Sequence, residues 1–190
     1  DQSNKFYSCI NYGHKSTLKI DDGGSISGFS LNRFDIPSNY TLSVKVANGN
    51  KKYFSMYNEI IECDGLTTRI LNTPGDLGAT VNADLYTDHL NRLWVIDDDI
   101  DPGQNFNVAY YDGSNWVTVP VFADFCAEDN SGRMWFTGGS VYVYEGGSIQ
   151  NIGATFPGFP PSHGPITIDH SMNIWFSDYN RLYRYDGTNM

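Results

Sequence analysis

The chain is poor in basic residues: 12 lysines and arginines stand against 22 aspartates and glutamates, which gives a formal net charge of −10. Proteins that bind nucleic acids use basic stripes to displace counterions from phosphates, and the sequence contains no such stripe. The same excess of negative charge works against binding to anionic membrane surfaces. We therefore expect no nucleic-acid partner and no membrane-surface partner.

Long apolar runs are also missing, since no segment approaches the roughly 18 apolar residues of a membrane-spanning helix. The first residues, DQSNKFYS, are polar, so we expect any secretory signal to have been removed already. Acidity, a low lysine content and 13 tyrosines favour an extracellular or periplasmic location.

Cysteine is scarce as well, and the three that are present are too few for a disulfide scaffold. Cys63 and Cys126 fall inside predicted strands, where a thiol ordinarily serves as a small buried hydrophobe. One bridge between neighbouring repeats stays open at this point, and Cys9 with Cys63 is the pair that fits it best.

What the sequence does contain is a repeat. Its aromatic anchors Tyr53, Trp94, Trp135 and Trp175 are spaced 41, 41 and 40 residues apart. A fixed period in this range, with four strands per unit, is typical of a β-propeller. The sequence thus predicts an all-β fold, a single propeller domain over residues 1–190 with about five blades of ~41 residues. The predicted units are 1–34, 35–73, 74–121, 122–153 and 154–190.

Within each unit we name the strands a to d, from the innermost outward. β-branched and aromatic runs predict strands at 41–47, 51–56, 59–63 and 67–72; at 80–87, 92–96, 106–111 and 116–121; at 122–128, 133–137, 140–144 and 148–152; and at 165–169, 173–177 and 181–185. Asp-Gly or Glu-Gly pairs between strands c and d supply the tight turns. In the first unit, 16–20 is predicted as strand c, after an inserted segment CINYGHK.

The first and last units are predicted to be incomplete. The chain is expected to begin at a strand b and to stop after a strand c, which leaves strand edges open. We expect a partner at these edges, either more of the same chain or a copy of it in a homo-oligomer.

An aspartate recurs six residues before each tryptophan, at Asp88, Asp129 and Asp169. A single acidic residue in a loop would suggest catalysis. Because this one recurs in unit after unit, we interpret it as a structural device that caps the a–b turn by accepting backbone N–H bonds.

These residues resemble the two-component regulator propeller repeat of periplasmic sensors. In the fifth unit the pattern is matched by Ile168, Asp169, Asn173, Trp175, Phe176, Leu182, Tyr185, Asp186 and Gly187. In the fourth it is matched by Asp129, Gly132, Trp135, Phe136, Tyr142, Tyr144 and Gly146. The resemblance implies a sensor propeller, but its motif positions are structural, so it carries fold better than function.

In propellers the b–c and d–a connections share one face, where ligands usually bind. On this face the sequence repeats a Tyr-Asn pair, Tyr57-Asn58 and Tyr179-Asn180. An aromatic ring beside an amide suits a sugar, whose C–H groups stack on the ring while its hydroxyls bond the amide. The alternative is that Tyr-Asn merely forms a good tight turn. Tyr12 and His163 complete the predicted ligand-binding set.

The segment DDDIDPGQN places Asp97, Asp99 and Asp101 at alternate positions before Gly103. Calcium loops present oxygen ligands in this alternating way, so the three aspartates form a candidate calcium site. The spacing departs from the usual loop at Pro102, and the alternative is a solvated acidic loop.

A catalytic constellation is harder to find. His14 and His163 are expected on the binding face, but no Ser or Cys nucleophile accompanies either of them. The favoured hypothesis is therefore a non-enzymatic extracellular module that binds a glycan or another small ligand. The alternatives are an assembly protein whose incomplete end blades pair between chains, and a calcium-dependent hydrolase or lactonase.

Overall fold

The structure is a computed structural model. It describes residues 6–12, 15–21, 26–30, 43–46, 51–56, 59–64, 67–74, 77, 83–97, 106–156, 159, 161–178 and 180–189, with the backbone alone for 6–30. The described residues form eighteen strands and one short 3-10 helix, Gly153–Thr155. The protein is therefore all-β, as the residue types predict. Within the described part of the chain, no helix is long and apolar enough to cross a membrane.

The strands form five antiparallel sheets, which we call blades 1 to 5. Blade 1 contains β1 (Phe6–Tyr12), β2 (Lys15–Asp21) and β3 (Ile26–Ser30). Blade 2 contains β4 (Ser43–Val46), β5 (Lys52–Met56), β6 (Glu59–Cys63) and β7 (Thr68–Leu71). Blade 3 contains β8 (Asp84–Thr87), β9 (Leu93–Ile96), β10 (Val108–Tyr111) and β11 (Trp116–Val119). Blade 4 contains β12 (Phe125–Glu128), β13 (Met134–Thr137), β14 (Val141–Glu145) and β15 (Ser148–Asn151). Blade 5 contains β16 (Ile166–Ile168), β17 (Ile174–Ser177) and β18 (Leu182–Tyr185).

In each sheet the strands follow one another in chain order, as in propeller blades. Blades 2, 3 and 4 have four strands each, whereas three strands are described in blades 1 and 5. The predicted all-β architecture of four-stranded antiparallel blades is thereby confirmed for the three central blades.

The structure shows what the predicted insertion in blade 1 forms. Its residues Cys9 to Tyr12 continue β1, which pairs with β2 along its whole length, from Phe6 opposite Asp21 to Tyr12 opposite Lys15. Each of these strands has seven residues, against five in the equivalent strands β5 and β6 of blade 2. The run FYSCINY is rich in β-forming residues, so it extends the strand where the repeat pattern alone suggested an interruption.

Among the described side chains, the core forms three apolar layers, each lying between two neighbouring blades. The first joins blades 2 and 3 around Tyr53, the second joins blades 3 and 4 around Trp94, and the third joins blades 4 and 5 around Trp135. In β13, Met134 and Phe136 point toward blade 3 while Trp135 points toward blade 5. Both faces of a central blade are covered, which is why β13 is buried along its whole length.

The repeated aspartates cap the a–b turns. One oxygen of Asp129 accepts the backbone N–H groups of Ser131 and Arg133, at 2.8 and 3.0 Å. Its other oxygen accepts the indole N–H of Trp135 at 2.9 Å and an N–H of the Arg133 side chain. Asp88 makes the same set of bonds, and Asp169 does so with an asparagine in place of the arginine. The predicted structural role of these aspartates is confirmed.

Blade 2 lacks the capping aspartate and replaces it with a carboxylate from strand c. Glu62 accepts hydrogen bonds from the Tyr53 hydroxyl at 3.2 Å and from Arg69 at 2.8 Å. Burial opposes ionisation of Glu62, but the hydrogen bond from Arg69 and the charge of Lys51 outweigh it and lower the pKa of the carboxyl. Burial and the neighbouring Glu62 raise the pKa of Tyr53, so the hydroxyl remains a donor.

Cys63 and Cys126 are free thiols. Cys63 is buried in β6 and Cys126 packs against the second apolar layer, as expected for small hydrophobes. Because Cys63 is a free thiol, the disulfide bond between Cys9 and Cys63 that the sequence left open is not formed in this structure. Burial raises the pKa of Cys126 to about 12, which makes this thiol a poor nucleophile.

Candidate functional site

The b–c and d–a connections leave each sheet at the same edge, because consecutive strands are antiparallel. We call this edge of the blades the near face and the opposite edge the far face. The predicted ligand-binding residues belong to the near face. Its described part lies mainly around blades 3, 4 and 5.

The d–a connection before blade 4 is fixed by a buried side chain of blade 3. Asn107 is 1% exposed, and its amide nitrogen donates to the carbonyl oxygens of Asp97 and Ala123, both at 2.7 Å. Its amide oxygen accepts the N–H of Ala123 at 2.8 Å. The backbone N–H and carbonyl oxygen of Ala123 are both hydrogen-bonded to Asn107, so they are not available for pairing with a neighbouring strand. Strand β12 begins at Phe125 and not at 122 as predicted.

This late start turns three predicted strand residues, 122–124, into loop residues of the near face. Val121 and Ala123 are buried in the second apolar layer, whereas Phe122 is 37% exposed and Asp124 is partly exposed. Phe122 is a large hydrophobic side chain at the surface. Such a side chain offers a flat apolar contact to a ligand.

Asp124 pairs with His163, one of the predicted ligand-binding residues. The Nδ1 atom of His163 lies 2.9 Å from Oδ2 of Asp124, and both side chains are about two-fifths exposed, at 41% and 39%. A carboxylate at Nδ1 favours the tautomer that carries a proton there, which turns Nε2 into an acceptor. The pair thus joins the d–a connections on either side of blade 4.

Two glycines of the b–c connection of blade 4 lie between Phe122 and His163. A Cβ atom on Gly138 would come 2.3 Å from the carbonyl oxygen of Phe122, so only glycine fits there. A Cβ atom on Gly139 would lie 3.7 Å from the His163 ring. Phe122, Asp124, His163 and these glycines therefore form one cluster, which we call the near-face cluster.

The segment that carries His163 is held firmly to blades 4 and 5. Thr137 donates its hydroxyl to the carbonyl oxygen of Gly164 at 2.8 Å, and the N–H of Gly164 donates to Ser177 at 3.0 Å. Ser162 is fully buried and also donates to the Ser177 carbonyl oxygen. The imidazole is consequently presented from a fixed backbone.

The other predicted ligand-binding residues are described less fully. Tyr57, Asn58 and Tyr179 lie outside the described residues, and Tyr12 is described only as the last residue of β1. Asn180 is exposed on the near face, and its backbone N–H donates to Asp178 at 2.7 Å. That bond belongs to a tight turn, which is the alternative noted for the Tyr-Asn pairs.

Of the three candidate calcium ligands, Asp97 is fully buried beside Asn107, and its N–H donates to the carbonyl oxygen of Asn107 at 2.9 Å. Asp99 and Asp101 lie outside the described residues. Among the residues that the structure describes, no group of three or more His, Cys, Asp or Glu side chains is placed to hold a metal ion.

The far face carries a second histidine–carboxylate pair. His89, in the a–b turn of blade 3, donates its backbone N–H to Glu128 of blade 4 at 2.9 Å, and its ring nitrogen Nδ1 contacts the same carboxylate. The ring packs over Gly132, where a Cβ atom would lie 2.3 Å away. His170 occupies the equivalent turn position in blade 5 and is exposed.

Sequence reasoning found His163 but missed Asp124 and Phe122. The run VFADFCAE alternates apolar and other residues, so it was assigned to one long strand. The available signal was Asn107, an amide at the end of a b–c connection, but its bonds to Ala123 cannot be inferred from the order of residues.

The fold is similar to that of known sensor domains. The extracellular domain of a putative hybrid two-component system from B. thetaiotaomicron matches with a TM-score of 0.56 and 16% identity, over 88% of this chain and 25% of that one. The extracellular domain of a second such system from B. thetaiotaomicron matches with a TM-score of 0.52 and 21% identity, over 96% of this chain and 27% of that one. Another structure of the first protein, described as the extracellular domain of a putative one-component system, matches with a TM-score of 0.57 and 17% identity, over 93% of this chain and 27% of that one.

At these identities the likeness concerns the fold, and it confirms the resemblance to sensor propellers that the repeats predict. This chain spans about a quarter of the length of those structures. No protein-family profile matches the chain, and no curated protein matches it by sequence.

Proposed function

We propose that the chain belongs to an extracellular sensing propeller that binds a carbohydrate on its near face without chemically altering it. The observation that carries the proposal is the near-face cluster, in which the exposed Phe122 stands two residues before Asp124, the partner of His163. Aromatic rings stack on the C–H faces of sugars, and carboxylate and imidazole groups bond sugar hydroxyls.

The structural neighbours support the sensing part of the proposal, because they are extracellular domains of putative two-component and one-component systems. A sensor must bind its ligand and release it, so an unreactive cluster suits it better than a catalytic one. We extend the proposed contact surface to Tyr12 and to the Tyr-Asn pairs at 57–58 and 179–180.

A glycan array probed with the purified protein tests the carbohydrate class, and calorimetry on the strongest hit tests the site. We expect Phe122→Ala and His163→Ala each to weaken binding about tenfold, which corresponds to about 1.4 kcal/mol. His170→Ala is the matched control, because it removes an exposed imidazole from the far face.

Circular dichroism and melting curves must show that each variant is folded. An array that stays blank for neutral, amine-bearing and acidic glycans would remove the carbohydrate proposal. If a glycan binds the wild-type protein and both near-face variants bind it with unchanged affinity, the binding site is elsewhere on the molecule.

A second candidate function is assembly between copies of the chain. In blade 4, Val141 is 1% exposed because blade 5 covers it, whereas the equivalent Leu182 of blade 5 is 67% exposed. An apolar side chain at this position favours a covering sheet. Light scattering across a range of protein concentrations tests this idea with Leu182→Glu as the disrupting variant, and a monomer at every concentration would reject it.

A further inference from the structure

The near face around blades 3, 4 and 5 is strongly acidic. Its connecting segments are 97–107, 120–124, 138–140, 152–165 and 178–181. Together they contain six aspartates, one arginine and no lysine. Four of the six belong to 97–107, where Asp97 is fully buried and the other three lie outside the described residues.

Two of these aspartates are described with partly exposed side chains, Asp124 and Asp178. Asp124 belongs to the near-face cluster itself. The backbone N–H of Asn180 and the hydroxyl of Tyr183 lower the pKa of Asp178, so this carboxyl is ionised at neutral pH. Arg181 interacts with Asp178, and no other arginine or lysine belongs to these segments.

We propose that the near-face cluster selects neutral or amine-bearing carbohydrates and rejects those that carry carboxylate or sulfate groups. The proposal rests on the carbohydrate-binding function proposed above. Phe122 and Asp124 are two residues apart, so their Cα atoms lie within about 7 Å of each other. A sugar that contacts Phe122 therefore lies near the Asp124 charge on the scale of the roughly 8 Å over which charges interact at physiological salt. An anionic substituent is repelled there, whereas an ammonium group or a hydroxyl is attracted or tolerated.

The experiment compares three β-1,4-linked hexasaccharides that differ at one substituent: cellohexaose is neutral, chitosan hexaose carries amines, and glucuronan hexaose carries carboxylates. If the array identifies another backbone, its neutral, amine-bearing and carboxylated forms replace this set. Affinities are measured by calorimetry at pH 8.5, above the range in which histidine ordinarily titrates. The sugar amines are mostly uncharged at this pH, so the amine-bearing form serves as a second uncharged ligand. We expect the carboxylated form to bind at least tenfold more weakly than the neutral form in 20 mM salt, and the gap to narrow in 500 mM salt.

Asp124→Asn tests the source of the discrimination. It should lower the ratio of neutral to carboxylated affinity at least threefold, because it removes the charge nearest the ligand. Asp186→Asn is the matched control, since it removes the same charge from an exposed turn of the far face, and it should leave the ratio unchanged.

Three results would overturn the proposal: equal affinity for the three forms, preference for the carboxylated form, or an equal fall of the ratio in both variants. The first two leave carbohydrate binding intact, and the third would assign the effect to net charge. If all glycans fail to bind, the function proposed above fails, and the selectivity proposal fails with it.

Discussion

Trp135 and Asp129 are joined by a hydrogen bond of 2.9 Å between the indole N–H and Oδ2 of the carboxylate. Both residues are buried, at 3% and 4% exposure. One side chain thus closes the turn between the two inner strands, while the other fills the layer between blades 4 and 5. The bond fixes the anchor tryptophan relative to the turn that precedes it.

Removal of this carboxylate should destabilise the protein. Asp129→Ala leaves the Trp135 indole N–H without its acceptor and uncaps the N–H groups of Ser131 and Arg133. A buried donor without a partner costs about 1–3 kcal/mol, so we expect the free energy of unfolding to fall by at least this amount. Urea unfolding followed by tryptophan fluorescence measures it. Asp186→Ala, in an exposed turn, is the control and should cost less than about 1 kcal/mol.

The Asp–Trp pair also shows which parts of the structure are readable from sequence. Asp88, Asp129 and Asp169 were identified as turn caps because they recur at a fixed distance from an aromatic anchor. The near-face cluster does not recur: Asp124 and His163 are 39 residues apart and belong to different units. Their meeting depends on how neighbouring blades pack and on Asn107, which no local pattern reveals.

The side-chain amide of Asn107 holds two segments of the near face together, because it bonds both Asp97 and Ala123. Asn107→Ala removes three hydrogen bonds and leaves the N–H of Ala123 buried without an acceptor. We expect a loss of about 2–4 kcal/mol in the free energy of unfolding, together with weaker ligand binding, since Phe122 and Asp124 are no longer held. Ser114→Ala, an exposed turn residue on the far face, serves as the control.

If Asn107→Ala binds the carbohydrate as tightly as the wild-type protein does, the amide stabilises the fold without positioning the cluster. Binding should therefore be measured well below the melting temperature of the variant. Folding is checked there by circular dichroism.

The third residue after each capping aspartate has a left-handed backbone. Asn91, Gly132 and Met172 have φ values of 61°, 80° and 66°. Asparagine and glycine accept this conformation readily, but a methionine is strained there by about 1–2 kcal/mol. Replacing Met172 with glycine relieves this strain, but glycine also has more conformational freedom in the unfolded chain, which offsets part of the relief. Met172→Gly should therefore stabilise the protein by about 0.5–1 kcal/mol.

The opposite change belongs to the same test. Gly132→Ala should destabilise the protein, because the new Cβ atom is strained at positive φ and collides with the His89 ring. Urea unfolding of both variants measures the change in the free energy of unfolding, which should be an increase for Met172→Gly and a decrease for Gly132→Ala. A loss of stability in Met172→Gly would show that methionine packing at this turn outweighs backbone strain.

Acid should weaken the cap of blade 5 in a defined range of pH. Hydrogen bonds from the Trp175 indole and from Asn173 lower the pKa of Asp169 to about 2. An aspartate in an unfolded chain has a pKa of about 3.9, so the folded state is favoured above that pH by the ionised carboxyl. This contribution is lost as the pH falls from about 4 through 2, when Asp169 becomes protonated.

The carboxyl carbon shift of Asp169 in an NMR titration measures its pKa directly. Asp169→Asn should remove part of the acid dependence of stability between pH 4 and 2, whereas Ser114→Ala, in an exposed turn without a titratable side chain, should not. A titration midpoint near 4 would contradict the hydrogen-bonded arrangement.

Calcium binding at Asp97, Asp99 and Asp101 is a proposal that carries its own test. Bound calcium stabilises the folded state by mass action, by about 2.7 kcal/mol when its concentration is a hundred times the dissociation constant. We therefore expect a higher melting temperature in calcium than in chelator, and we expect Asp99→Asn combined with Asp101→Asn to abolish the difference. Asp112→Asn in an exposed turn of the same blade is the control. Equal melting temperatures with calcium and with chelator would reject the site and leave these carboxylates as part of the acidic near face.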